Sequence, residues 1–170
     1  MKIRLAGIRH NTSADGYGWR TVYFSQGCKH HCQECFNPET WSFSGGQLLD
    51  TKDIIQKFKD NKEYDLVDGV TFSGGDPFFQ PQPFALLAKE FKKMKVNIWA
   101  YTGFKFEELL KLANKNKAIK ELINNVDVIV DGRFEISLKN PELKYRGSAN
   151  QRIIDVPKSL KQKEIITLAF

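Results

Sequence analysis

Three cysteines, Cys28, Cys32 and Cys35, fall in the string G-C-K-H-H-C-Q-E-C-F, and the chain has no other. Their spacing is C-x3-C-x2-C. Thiolates are soft ligands that suit iron–sulfur clusters and zinc. A structural zinc site is closed and four-coordinate, and this set is one ligand short. His30 or His31 would complete a Cys3His site, but a ligand wedged between the first two cysteines is cramped. A redox pair would use Cys32 and Cys35 and leave Cys28 unexplained. Three thiolates on one loop can instead hold three irons of a [4Fe–4S] cluster and leave the fourth iron open for a substrate or cofactor.

A second string with chemical potential is Gly74-Gly75-Asp76-Pro77. Glycines permit backbone conformations closed to other residues and let a ligand approach the main chain. Exposed carbonyls with the Asp76 carboxylate could receive an ammonium group. The same four residues also make an ordinary turn.

The elements that must position these strings alternate between strand and helix patterns. Arg20–Ser25 is β-branched and aromatic and runs straight into Gly27-Cys28. Thr51–Lys59 places Ile54, Ile55 and Phe58 on one helical face, with Thr51 as its expected N-cap. Gly69–Ser73 is a short strand ending at the glycine pair. A helix starting at Pro83 carries Phe84, Leu87 and Phe91 on one side. Val96–Thr102 is a strand ending at Gly103, Phe106 to Ala113 a helix, and Val126–Asp131 a strand ending at Gly132. Arg152–Val156 and Lys163–Leu168 read as extended, with Pro157 between them.

Strands alternating with helices predict right-handed βαβ units and a mainly parallel sheet. Ligands of such sheets bind at the carboxyl ends of the strands. The turns at Cys28, Gly74–Asp76, Thr102-Gly103 and Asp131-Gly132 each follow an expected strand, so a parallel sheet gathers them on one rim.

The 170 residues suffice for one domain, taken as residues 1–170, with a real core. No apolar run approaches the roughly 18 residues of a membrane span, and the charged N-terminus does not read as a signal peptide. A cytoplasmic location follows, where clustered thiols point to metal or redox chemistry rather than disulfides. The net charge of +6 comes from lysines scattered among acids, without a nucleic-acid recognition motif. Neither a nucleic-acid nor a membrane partner is expected.

The cysteine triad together with Ser73-Gly74-Gly75-Asp76-Pro77 resembles the radical S-adenosylmethionine (SAM) superfamily. The resemblance narrows with G-C-x-H-x-C-x-x-C-x-N-x-x-T-W (Gly27–Trp41), Y-T-G-F (Tyr101–Phe104), V-D-G-R-F (Val130–Phe134) and R-G-S-x-N-Q (Arg146–Gln151). This set, from about Asn11 to Val156, is similar to the activating proteins of anaerobic (class III) ribonucleoside-triphosphate reductases.

The resemblance implies an incomplete (βα)6-type radical SAM barrel. It implies that Cys28, Cys32 and Cys35 ligate the cluster and that the fourth iron chelates SAM. Gly74, Gly75 and Asp76 would contact the methionine moiety, and Thr102 and Asp131 are further candidates for cofactor contact. One electron then cleaves SAM to a 5′-deoxyadenosyl radical, which takes a Cα hydrogen from a glycine of the reductase. Flavodoxin is the electron donor that the analogy suggests. Arg146, Ser148 and Asn150 are candidates for the cofactor or partner side. The resemblance departs at Glu34, where an aromatic residue is expected to pack on adenine; the nearest aromatics are Phe36 and Trp41. The lack of further cysteines argues against auxiliary clusters.

Overall fold

The computed structural model describes Met1–Phe170. Its elements in chain order are β1 (Lys2–Thr12), β2 (Arg20–Ser25), β3 (Gln47–Asp50), α1 (Thr51–Asp60), α2 (Glu63–Leu66), β4 (Gly69–Gly74), α3 (Pro81–Lys93), β5 (Asn97–Tyr101), α4 (Phe106–Ala113), α5 (Lys117–Asn125), β6 (Val128–Asp131), β7 (Arg152–Asp155) and α6 (Val156–Gln162). They form a mixed α/β fold with one seven-stranded sheet in the order β3-β1-β2-β4-β5-β6-β7.

Side chains alternate across the central strands, as period-2 geometry demands. Val70, Phe72, Ile98, Ala100 and Ile129 join the large core with Phe58 of α1, Phe84, Leu87 and Phe91 of α3, Leu109 of α4 and Leu122 of α5. Trp99, Val128, Val130 and Ile153 make a smaller cluster with Tyr101 and Tyr145. The large core is rich in packed rings: Phe72 lies 5.0 Å from Phe84, and Phe58 4.7 Å from Phe91. Burying side chains of this size contributes about 1.5–3 kcal/mol each, which makes the sheet a stiff base for its loops.

The expected parallel arrangement holds only in the middle. β2–β4, β4–β5 and β5–β6 are parallel, while β1–β2, β1–β3 and β6–β7 are antiparallel. The physical reason lies in the connections. A parallel pair needs a long crossover, usually helical, and α1, α3 and the α4–α5 pair supply the three. Residues 13–19 are too few for one, so β1 and β2 form a hairpin, and no helix longer than one turn lies between β6 and β7. The N-terminal residues form β1, and α5, which begins behind the Asn116 cap, follows the same logic as the other helices.

Local differences have local causes. Asp50, not Thr51, caps α1, because its carboxylate accepts from Lys52 N (3.0 Å) and leaves Thr51 as the first helical residue. α3 starts at Pro81, with proline already suited to the first turn. Pro157 lies in the first turn of α6 rather than separating two strands, with the Asp155 carboxylate accepting from Lys158 N (3.0 Å). The segment after it adds a single bridge, Ile154 to Thr167.

At the amino ends of the central strands, Arg20 is buried without a carboxylate partner. Its guanidinium donates to Thr71 Oγ1, Tyr17 O, Val70 O and Asn97 Oδ1, and sits over the Trp99 ring at 5.4 Å. Burial pulls its pKa down to about 10.

Candidate functional site

Because β2, β4, β5 and β6 are adjacent and parallel, their carboxyl ends lie on one rim. From β2 the chain enters an irregular loop, Gln26–Asn37, that carries all three cysteines. The loop is laid against the end of β4 by backbone hydrogen bonds. Gly75 N donates to Ser25 O (2.8 Å) and Asp76 N to Gly27 O (3.1 Å). Glycine is required here. Gly74 has φ +89°, and a Cβ on it would lie 2.7 Å from Ser25 N. A Cβ on Gly75 would lie 2.5 Å from Gly27 O. The other edge of the loop is fixed by Gly27 N to Thr40 O (2.7 Å) and Cys28 N to Trp41 O (3.1 Å).

Asp76 is the hub of the rim. It is fully buried. Its Oδ1 accepts from Phe78 N (2.9 Å), and its Oδ2 accepts from Thr102 Oγ1 (2.8 Å), Gly103 N (3.0 Å) and His30 Nε2 (2.8 Å). A carboxylate has no hydrogen to give, so His30 carries its proton on Nε2. The cysteine loop, the Gly-Gly-Asp turn and the end of β5 thus meet at one side chain. The Asp76 carboxylate is enclosed, and the surfaces left for a ligand are the backbone of Gly74 and Gly75, both half-buried.

The loop itself holds two non-glycine residues in the left-handed region, His31 (φ +49°) between the first two cysteines and Glu34 (φ +56°) between the last two. Such conformations cost energy and gather where function demands them. Cys35 N donates to Cys32 O (3.2 Å), closing the turn that Glu34 occupies, and Glu34 faces solvent.

All three cysteines are free thiols. Burial pushes the Cys28 thiol up to about 11 and also raises Cys32. Against this, the backbone N–H groups of His30 and His31 pull the Cys28 thiol down and that of Phe134 the Cys32 thiol, while Asn37 N donates to Cys35 Sγ (3.4 Å). Donors of this kind favour thiolate and tune iron–sulfur clusters. No three His, Cys, Asp or Glu side chains close on a common point as a single-ion cage requires. The donor chemistry, three thiols on one loop, is of the soft kind that iron–sulfur clusters take.

A family model described as a 4Fe-4S single cluster domain matches residues 14–154. The chain is also similar to proteins named anaerobic ribonucleoside-triphosphate reductase-activating protein. That of Enterobacteria phage T4 is 35% identical over 144 residues, 82% of this chain and 85% of that one. That of Haemophilus influenzae is 36% identical over 147 residues, 82% and 89%. That of Escherichia coli K12 is 34% identical over 148 residues, 81% and 88%. The chain belongs to the anaerobic ribonucleoside-triphosphate reductase-activating protein family.

Among the other residues singled out in this activating-protein chain, Thr102 stands on the hub, donating to Asp76 and accepting from Phe104 N (3.1 Å). Asp131 is buried and accepts from Phe106 N of α4 (2.7 Å) and from Arg152 of β7. Phe36 is 62% exposed and rests on Phe134, with ring centroids 4.9 Å apart and Lys139 Nζ 5.6 Å above it. Trp41 stacks on His31 at 4.5 Å.

The Arg146–Gln151 string braces itself and the Gly132–Glu135 turn. Arg146 Nη1 donates to Gln151 O (2.6 Å), Asn150 Nδ2 to Arg133 O (2.8 Å), Gln151 Nε2 to Gly132 O (3.0 Å), and Ser148 Oγ accepts from Glu135 N (3.1 Å).

His30 is marked in the sequence by its place in the G-C-x-H-x-C string, but its pairing with Asp76 is not. Gln80 has no sequence signal of its own. Gln80 links Arg4 N and O, Ser25 Oγ and Gln26 O through one amide, and so anchors the start of the cysteine loop to β1. Its distance from those partners in sequence hides it.

Proposed function

We propose that this chain is a radical SAM activase of an anaerobic ribonucleoside-triphosphate reductase, a single domain built as an incomplete barrel. Cys28, Cys32 and Cys35 hold a [4Fe–4S] cluster with one iron left for SAM. When bound and reduced by one electron, this pair supplies cleavage of the SAM sulfonium and a 5′-deoxyadenosyl radical that removes a glycine Cα hydrogen from the reductase.

The observation that carries this reading is the meeting of the cysteine loop with the Gly-Gly-Asp turn at Asp76. The family membership gives the partner its identity. The chain's own residues bind, orient and exclude. Backbone N–H groups at Cys28 and Cys32 favour the thiolate forms. The Gly74 and Gly75 backbone, rather than the enclosed Asp76 carboxylate, receives the SAM ammonium. The exposed ring of Phe36 is the adenine contact in place of Glu34. Thr102 acts through Asp76. The protein partner docks on the rim, with the glycine loop held in line for hydrogen transfer. The electron comes from a low-potential donor of the flavodoxin kind, and the setting is cytoplasmic; no helix is long and apolar enough to cross a membrane.

Anaerobic reconstitution with iron and sulfide, followed by dithionite, SAM and the reductase, tests the reading. The expected results are 5′-deoxyadenosine and a glycyl-radical doublet in electron paramagnetic resonance, both lost in Cys32→Ala. A protein that takes up one zinc and no iron overturns it. SAM cleavage without a radical on the reductase overturns the partner while keeping the chemistry.

A further inference from the structure

Between Cys28 and Cys32 the chain makes one side-chain hydrogen bond to another strand end, His30 Nε2 to Asp76 Oδ2 at 2.8 Å. The imidazole is 5% exposed and the carboxylate 0%. The ring packs into a triangle with Phe79 and Phe104, at centroid distances of 5.3 and 4.6 Å, and those two rings are 5.3 Å from each other. Gly103 leaves it no room to shift, since a Cβ there would lie 2.4 Å from His30 Cδ2. A side chain so enclosed, with a single hydrogen-bond partner, is a strut rather than a mobile loop group. A charge-assisted bond in a site closed to water is also stronger than its exposed counterpart.

We propose that His30 is a positioning residue that sets the distance between the cluster loop and the Gly74-Gly75 backbone, and so the affinity for SAM. The proposal rests on the activase reading. A ligand that touches the open iron at one end and the glycine backbone at the other spans two separate pieces of chain. The backbone bonds from Gly75 and Asp76 fix only the loop's start, at Ser25 and Gly27. His30 fixes its middle. Through Asp76 the same strut reaches Thr102 and Gly103, so three strand ends share one register. The Nε2–H of the ring is committed to Asp76, and His30 serves through that bond.

The test uses the reconstituted, iron-loaded full chain and three variants. His30→Phe keeps the ring packing and removes the hydrogen bond. His30→Gln restores a donor of similar reach. His30→Asn falls short of Asp76 and serves if the Phe variant does not fold. Iron content, SAM affinity by equilibrium dialysis, and the change in the reduced-cluster resonance on adding SAM are measured for each. Expected are wild-type iron content throughout, SAM affinity weakened about tenfold in His30→Phe and His30→Asn, and recovery to within about threefold in His30→Gln. The SAM-induced spectral change weakens in the same order.

Equal SAM affinity in wild type and His30→Phe overturns the strut. So does loss of iron in the variants, which would make His30 part of iron retention, or a Gln variant as weak as Phe. A wild-type chain that takes up iron but no SAM overturns the activase reading itself, and the strut with it.

Discussion

Arg152 closes a fork on Asp131. Its Nε donates to Oδ1 at 3.0 Å and its Nη2 to Oδ2, while the same guanidinium reaches Glu107 of α4 through Nη1 (3.1 Å) and Nη2 (2.7 Å). Asp131 is buried at the end of β6 and Arg152 begins β7, so this contact locks the last parallel strand to its antiparallel neighbour beneath the Val130–Phe134 string. Both carboxylates raise the Arg152 pKa, Asp131 first, and Arg152 in turn holds the Glu107 carboxyl below its ordinary 4.5.

Arg152→Gln should therefore destabilise the chain by about 2–3 kcal/mol. That lies at or below the low end of the cost of orphaning a buried charge, because the Arg152 side chain is 31% exposed and partly screened. The pH dependence follows from Glu107. A carboxyl with a lowered folded pKa adds stability that is fully present above pH 4.5 and is lost as pH falls through the folded value. Urea denaturation at pH 7 and below pH 4.5 should show the gap between wild type and variant narrowing in acid. A gap that widens in acid contradicts the assignment.

Gly75→Ala should cost about 2–3 kcal/mol and lower Tm by about 5–10 °C, because the new Cβ would meet backbone atoms, Gly27 O at 2.5 Å and Gly27 C at 2.9 Å, that cannot swing aside. Gly7→Ala is the control, with nothing within 4 Å of its Cβ position. Thermal unfolding of both in the metal-free chain isolates the backbone contact from any effect on cluster binding.

Thr102→Val keeps the shape of the side chain and removes one hydroxyl. Asp76 then loses a donor at 2.8 Å and Phe104 N loses its acceptor at 3.1 Å, both inside the rim. The expected cost is about 1–3 kcal/mol, with most of it recovered in Thr102→Ser. Calorimetric unfolding of the pair checks this, and equal stability of Val and Ser would remove Thr102 from the hub.

Much of this rim is legible in the sequence because its parts end strands. Arg20–Ser25, Gly69–Ser73 and Val126–Asp131 carry β-branched or aromatic runs that stop at glycine, and period and punctuation place them without tertiary information. What could not be read is pairing direction at the edges. A charged, interrupted run such as Lys2–Thr12 looks like neither a buried strand nor a helix, yet β1 is held by β2 on one side and β3 on the other. The role of Asp76 was likewise hidden. Its residue type fits an ammonium site, but its four donors come from residues 30, 78, 102 and 103, and only the fold brings them together. Asp131 shows the same limit, since Asp-Gly reads as a turn until Arg152 is beside it.

Cys28 should be the slowest thiol to alkylate in the metal-free chain. It is 8% exposed, and burial pushes its pKa up to about 11 from an ordinary 9.0. The thiolate is the reactive form, so at about pH 8 this higher pKa reduces its population about a hundredfold. Higher intrinsic nucleophilicity returns part of that, leaving a rate about tenfold lower than that of an exposed cysteine. The rate should keep rising with pH to about 11, whereas that of a thiol with the ordinary pKa levels off near 9.0. Iodoacetamide labelling followed by mass spectrometry reads this directly, because cleavage after Lys29 separates Cys28 from the other two. Iron loading must remove the same proton, so reconstitution should also run faster as pH rises from about 7 to about 9. A Cys28 that labels at about pH 8 as fast as a free cysteine would mean that the loop opens in solution and does not hold the buried thiol described here.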